Sequence, residues 1–289
     1  MFSRTPLLAR ALAVMSLLAF ALLPATAVAA PLHIGHDGGG GRNRNPGILP
    51  INASAFGNTY GAWSALYWQW AFGQPAPCNP QQDATGACVS VGQSGNVWFL
   101  AGTGGQSAER NVTIPAGKAL FFPIHQWIFG ASVYDCIPSV PLVPCDVPTL
   151  RAAAAGAVAA ASTVEAWIDG VPVVDVRDYR ATSPSSFSVT MVADDVIPGI
   201  PAGTYSPHVS DGYWLLLAPL SVGTHTVMDH VVSDFGFEYT LTVHITVVPA
   251  SGVTSTPTAD EFWKIAGADV TPVSAAKRTS WGRVKSMYR

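Results

Sequence analysis

Alternation of apolar and polar positions marks the C-terminal half of the chain. In "EYTLTVHITVV" (238–248), Tyr239, Leu241, Val243, Ile245 and Val247 fall on one side and Thr240, Thr242, His244 and Thr246 on the other. This period of two is that of a strand with one buried face. "GTHTVMDHVV" (223–232), "SSFSVTMV" (185–192) and "DGYWLLLAPL" (211–220) read as further strands, as do "GNVWFLAG" (95–102), "RNVTIPAG" (110–117) and "KALFFPIHQWIFG" (118–130), which Gly and Pro separate. The unbroken apolar run around Phe121 and Phe122 predicts a strand covered on both faces. "STVEAWIDGVPVVDV" holds two alternating runs around Asp169-Gly170, a strong hairpin signal.

Two segments carry helical patterns instead. Asn58 or Thr59 can cap a helix that runs to Phe72 and stops at Gly73, ahead of Pro75. At helical spacing Trp63, Leu66, Tyr67 and Trp70 share one arc, while Trp68 and Phe72 fall opposite. One aromatic face suffices to dock a helix, so the second is either sandwiched between layers, the favoured reading, or part of a ligand surface. Asp146 can cap a second helix, "VPTLRAAAAGAVAAAS", whose alanines favour helix and let it lie close to a flat neighbour. Many short strands with two inserted helices predict a mainly β fold, an antiparallel β-sandwich or jelly-roll-like domain.

The ends of the chain set its organisation. Residues 1–29 place Arg4 and Arg10 before an apolar stretch ending in Ala27-Val28-Ala29, the order of a signal peptide, and predict a secreted or periplasmic protein with no transmembrane helix in the mature chain. Residues 30–56 read as a flexible Gly-rich leader, 57–249 as the β domain, and 250–289 as a C-terminal tail, basic at its end and dispensable for folding. The full chain has 15 basic and 18 acidic residues, a net charge of −3. Loss of Arg4 and Arg10 with the leader makes it more negative, which speaks against nucleic acid as a partner.

Four cysteines in an exported chain read as disulfides, and their short separations favour Cys78 with Cys88 and Cys136 with Cys145. Each loop of about ten residues is worth roughly 2.5–3 kcal/mol in the chain-entropy account. The first loop, "CNPQQDATGAC", offers oxygens from Asn79 and Asp83 that suit calcium weakly, since turn chemistry uses the same residues. No other cofactor is indicated.

Motifs for catalysis are sparse. The chain lacks G-x-S-x-G, H-E-x-x-H and a phosphate loop. In "HTVMDH" (225–230), His225 and Asp229 share a strand face too far apart to cooperate, and His230 points the other way. "SPHVSDGYW" (206–214) reads as a loop that presents His208 and Asp211 ahead of Tyr213, with His125, Glu109 and Arg110 as residues that could join it. Trp68, Phe72, His208, Asp211 and Tyr213 are thus the candidate ligand-binding residues. His125, His208 and Asp211 form the alternative, a hydrolase site.

The runs "WSALYWQWAFGQPAPCNPQQDATGACVSVGQSGNVWFLAG", "IPAGKALFFPI" and "DGYWLLLAPLSVGTH" resemble a family of uncharacterised secreted bacterial proteins, over about residues 57–248. The resemblance implies an exported bacterial globular domain and supplies no reaction or ligand. The expectation is a non-catalytic domain that binds an extracellular glycan or a cell-envelope component.

Overall fold

The computed structural model describes residue 45 and residues 47–75, 78–131, 145–194, 196–197, 200–250 and 259–267. The expected signal peptide, Cys136 and the basic end of the tail lie outside the described residues. Strands β1 (Ser54–Ala55) and β2 (Asn58–Thr59) form a small hairpin that leads into helix α1 (Tyr60–Phe72). Strands β3 (Val97–Phe99), β4 (Ala108–Pro115) and β5 (Ala119–Gly130) follow, then α2 (Val147–Ala159), β6 (Ala161–Ile168) and β7 (Val171–Pro172). A short 3-10 turn (Val176–Tyr179) precedes β8 (Arg180–Thr182), β9 (Phe187–Met191), β10 (Gly203–Leu217), β11 (Gly223–Ser233), β12 (Phe237–Val248) and α3 (Ala259–Ile265).

Two five-stranded sheets make a mainly β sandwich. The first runs β3-β5-β10-β8, with β9 also on β10, and the second runs β4-β12-β11-β6-β7. Most pairs are antiparallel, but β3 is parallel to β5 and β4 to β12. The first of these arises because the chain leaves the first sheet after β3, lays β4 on the edge of the second, and returns as β5. The alternation in β12 sends Leu241, Val243, Ile245 and Val247 into the core, as expected. Asp169 (φ 51°) and Gly170 (φ 75°) form the tight turn between β6 and β7, the left-handed geometry their sequence signals.

Helix α1 is bounded by local chemistry. The Thr59 hydroxyl accepts from the Ala62 N–H at 3.3 Å, and the Gly73 N–H donates to the carbonyls of Gln69 and Trp70. A Cβ at Gly61 would sit 2.0 Å from the Thr182 carbonyl oxygen, so only glycine lets the helix approach β8 this closely. Tyr67 packs edge-on against Trp214 of β10 (centroids 5.1 Å), and Trp214 stacks on Phe121 of β5 (5.2 Å). On its other side the helix is wrapped by residues 74–75 and 78–96, where the Trp70 indole donates to the Val91 carbonyl and the Asn79 amide to the Ala71 carbonyl. Trp68 (6 % exposed) and Phe72 (5 %) are buried, and Leu66 joins Gln69 on the exposed stripe instead of sharing the arc of Tyr67 and Trp70. The second aromatic face therefore packs between layers.

Helix α2 starts at Asp146, whose carboxylate accepts from the Thr149 N–H at 2.9 Å, and sets Leu150 and Ala154 against Val209 of β10. The boundaries of the domain are wider than the composition suggests. Ile48 and Leu49 are buried, and the Leu49 N–H donates to the Leu216 carbonyl, so the end of the Gly-rich leader belongs to the fold. Beyond residue 249, α3 buries Phe262 and Trp263 against the main core, with Phe262 edge-on to Phe56 at 5.8 Å. The tail is thus not uniformly peripheral: its polarity conceals two large aromatic anchors.

Cys78 and Cys88 are joined in a disulfide. Cys145 is disulfide-bonded as well, while the expected partner, Cys136, lies outside the described residues. No helix among the described residues is long and apolar enough to cross a membrane.

Candidate functional site

The segment 206–214 is not a loop. It lies within β10, where Asp211 pairs with Trp127 of β5 on one side and Thr182 of β8 on the other. Its turn-like letters are accommodated because the strand's polar side chains find partners. Arg180 grips Asp211 bidentately, Nε to Oδ1 at 3.0 Å and Nη2 to Oδ2 at 2.8 Å, and the carboxylate raises the guanidinium's pKa. Arg177 donates to the Tyr213 hydroxyl at 3.2 Å and lies over its ring. His208 is fully buried beside Phe187, in space that Gly130 leaves open: a Cβ there would lie 2.4 Å from the imidazole.

All five candidate ligand residues, Trp68, Phe72, His208, Asp211 and Tyr213, are therefore core groups, none more than 6 % exposed. The His125, His208 and Asp211 grouping does not assemble either. His208 and Asp211 are three residues apart on one strand and face opposite ways, and Asp211 is committed to Arg180. Glu109 points outward to His244 at 2.7 Å.

Asn79 and Asp83 organise their loop. The Asn79 amide group donates to the carbonyls of Ala71 and Gln74, and its oxygen accepts from the Gln81 N–H. The Asp83 carboxylate accepts from the N–H groups of Thr85, Gly86 and Cys88, bonds that hold its pKa down against its partial desolvation. These bonds give both side chains a part in shaping the loop, and no cluster of three metal-ligating side chains occurs among the described residues.

Between the sheets lies a belt of buried polar groups. Arg110 of β4 donates to the carbonyls of Ala101, Gly102 and Pro80, and Tyr67 accepts from the Gly102 N–H at 2.9 Å and from Gln81 at 2.7 Å. Burial pushes the Tyr67 phenol up to about 12 and holds the Asp229 carboxyl well above its usual range. The cavity beside Arg110, lined by Trp70, Leu100 and Val243 among others, has about 20 Å³, room for about one water. It is too small for an organic ligand.

The half-exposed aromatics lie elsewhere, at the end of the sandwich where β5 meets the β11–β12 turn. Trp127 stacks on Phe129 (centroids 5.9 Å, 28°), meets Phe235 edge-on (6.1 Å) and tilts against Phe237 (6.4 Å). Phe235 is 38 % exposed and the other three are partly so. Beneath them the Trp127 indole N–H donates to His125 Nε2 at 3.2 Å. His125 Nδ1 lies 3.3 Å from the Tyr239 hydroxyl, which itself donates to the Ile124 carbonyl. Burial and, to a lesser extent, Arg177 lower the His125 pKa to about 4 against an opposing hydrogen bond to the Ala157 carbonyl. Asp234, next to Phe235 in the turn, is exposed, and Glu238 points to the other face of β12, toward His230.

The sequence carries a signal for this cluster that periodicity alone does not pick out: "HQWIFG" and "DFGFEY" each place two aromatics two residues apart, on one face of a strand or its turn. His225 and His230, expected at the surface of a sheet, contact Asp169 (2.8 Å) and Glu238 (3.6 Å) on the second sheet.

No family model matches the chain, and no curated protein matches it. Among solved structures, the cysteine protease inhibitor EhICP2 from Entamoeba histolytica matches with 12 % identity over 53 % of this chain and 96 % of its own, at a TM-score of 0.19.

Proposed function

We propose that this chain is an exported, non-catalytic recognition domain that binds an extracellular glycan or cell-envelope polysaccharide through Trp127, Phe129, Phe235 and Phe237. The observation that carries this reading is the half-exposed ring cluster itself. Large aromatic groups are normally withdrawn from water, as the α1 rings are, and exposed apolar patches mark interaction sites. Sugar rings present C–H faces to stack on aromatic faces and hydroxyl edges for polar rims, and exposed Asp234, next to Phe235 in the turn, offers an acceptor at that rim. The absence of lysine and arginine among the described residues at that turn suits a neutral saccharide better than a polyanionic one.

The test is retention of the purified mature chain on chitin, cellulose and peptidoglycan sacculi, with Trp127→Ala compared against wild type. Wild type should be retained on at least one of these and the variant lost from it, with unchanged far-ultraviolet circular dichroism. Retention on none, or retention indifferent to Trp127→Ala, overturns the proposal.

A further inference from the structure

Trp127 reaches the aromatic surface with its indole N–H turned inward, and what it meets there is a buried histidine. His125 is 2 % exposed, and its two nitrogens have different tasks. The Trp127 N–H donates to Nε2 at 3.2 Å, which requires a lone pair on that atom. The Tyr239 hydroxyl spends its proton on the Ile124 carbonyl at 2.9 Å, so its oxygen accepts from Nδ1, 3.3 Å away. The neutral tautomer with its proton on Nδ1 and a lone pair on Nε2 satisfies both contacts, and that one N–H is also what serves the Ala157 carbonyl facing the ring.

We infer that His125 is the positioning residue of the aromatic surface, holding the Trp127 indole through an unprotonated Nε2, so that acid releases the ring and with it the ligand. A proton on Nε2 places one N–H against another, and the indole must turn away. The inference rests on the proposed glycan reading for its ligand, though not for the histidine–indole switch. The titratable and charged groups that face His125 are Arg177 beside the 3-10 turn, which disfavours an imidazolium, Tyr213 across the strand pair, and Tyr239 on β12 with Asp229 near it; burial raises the Tyr239 and Asp229 pKa values and so disfavours negative charge beside the ring. A His125 pKa lowered to about 4 puts the transition in acid.

Nuclear magnetic resonance tests this without any ligand. The chain has nine tryptophans, and loss of one indole peak in Trp127→Phe assigns Trp127. At pH 7 the His125 Nε2 shift should be that of an unprotonated nitrogen, and the Trp127 indole peak should move with a midpoint near pH 4 while backbone amides stay dispersed. In His125→Gln, whose amide oxygen accepts the indole N–H without titrating, the peak should stay still. Asp234 and Glu238 are unchanged in that variant, so movement that persists there overturns the inference. A protonated Nε2 at pH 7, a motionless wild-type peak, or global unfolding before the peak moves does so too. Retention on the polysaccharide that binds wild type should fall about twofold from pH 6 to pH 4, where half of the histidine is protonated, and about tenfold by pH 3, while that of His125→Gln, whatever its level, stays flat. If the peak titrates and nothing is retained on any polysaccharide, the positioning role stands and the glycan reading fails. If retention is lost in Trp127→Ala and the wild-type indole peak is motionless, the glycan reading stands and the positioning role fails.

Discussion

Two aromatic groups in this molecule have similar composition and opposite environments. On α1, Tyr67, Trp68, Trp70 and Phe72 are at most 7 % exposed, enclosed between the first sheet and the disulfide-closed loop. At the far end of β5, Trp127, Phe129, Phe235 and Phe237 make the same kinds of ring contact, yet Phe235 keeps 38 % of its surface. The helix rings are satisfied on several sides: Trp68 donates to the Ser210 hydroxyl, Trp70 to the Val91 carbonyl, and Tyr67 accepts two hydrogen bonds. The polar anchor of the end cluster is the bond from Trp127 to His125. Aromatic density in a sequence is therefore a poor guide to a site; among the described residues, the two groups differ in how much of each ring is left accessible.

The sharpest way to break the comparison is Trp68→Ala. Loss of a large buried aromatic costs about 3–5 kcal/mol, and the orphaned Ser210 hydroxyl adds to it. Chemical denaturation should show that loss in the midpoint at unchanged slope. A variant destabilised by less than about 1 kcal/mol would place Trp68 in the surface class after all.

The next effect concerns the histidines associated with each region, His208 beside Phe187 and His125 beneath Trp127. Burial lowers both pKa values to about 4, opposed in each case by backbone hydrogen bonds. A depressed folded-state value means the stabilisation is complete above the unfolded value, about 6.5, and is lost as pH falls through about 4. Each histidine should contribute up to roughly 3 kcal/mol of that loss. Denaturation midpoints between pH 7 and pH 4 should fall steeply in wild type and less steeply in His125→Gln. An unchanged slope in the variant would mean that His125 is already solvated, and that the end cluster has no buried floor.

Much of this arrangement could be read from local letters. The Thr59 and Asp146 caps, the Gly73 stop, the Asp169-Gly170 turn and the Cys78–Cys88 link all depend on residues within one turn or loop of each other. The parallel partners of β3 and β4 could not, because pairing across a crossover leaves no mark on either strand. The first half of β10 was hidden by Pro207, His208 and Asp211-Gly212, where the Asp211 charge is neutralised by Arg180 from a distant strand. The end cluster was hidden for the same reason: Trp127 and Phe235 belong to different sheets, and their meeting is a property of the sandwich and of neither segment.

A smaller effect tests the polar belt that separates the two regions. Burial raises the Asp229 pKa, so its stabilisation is complete below the unfolded value, about 3.9, and is lost as pH rises through the folded one. Asp229→Asn keeps an oxygen for the Leu241 N–H and never ionises. It should raise the denaturation midpoint at pH 7 by about 1–2 kcal/mol equivalent and change little at pH 4. A loss of stability at pH 7 would mean that the carboxylate is ionised and held by Arg110, and that the belt joins the sheets as an ion pair.

The smallest effect on stability, and the one that decides how the comparison is used, belongs to Phe235. It lies in the turn between β11 and β12, touches Trp127 edge-on, and already exposes more than a third of its surface. Phe235→Ala removes little apolar area from the core, so stability should fall by no more than about 1 kcal/mol, far below the cost expected at Trp68. Retention on a polysaccharide that binds wild type should nevertheless fall at least tenfold, about 1.4 kcal/mol, because an aromatic anchor contributes contact area only when the ligand is present. The ratio of the two effects is the discriminating quantity: large for binding and small for folding at Phe235, the reverse at Trp68. If Phe235→Ala instead destabilises the fold by more than about 2 kcal/mol and the retention loss tracks the unfolded fraction, the end cluster is a smaller copy of the α1 core and the binding surface must be sought elsewhere.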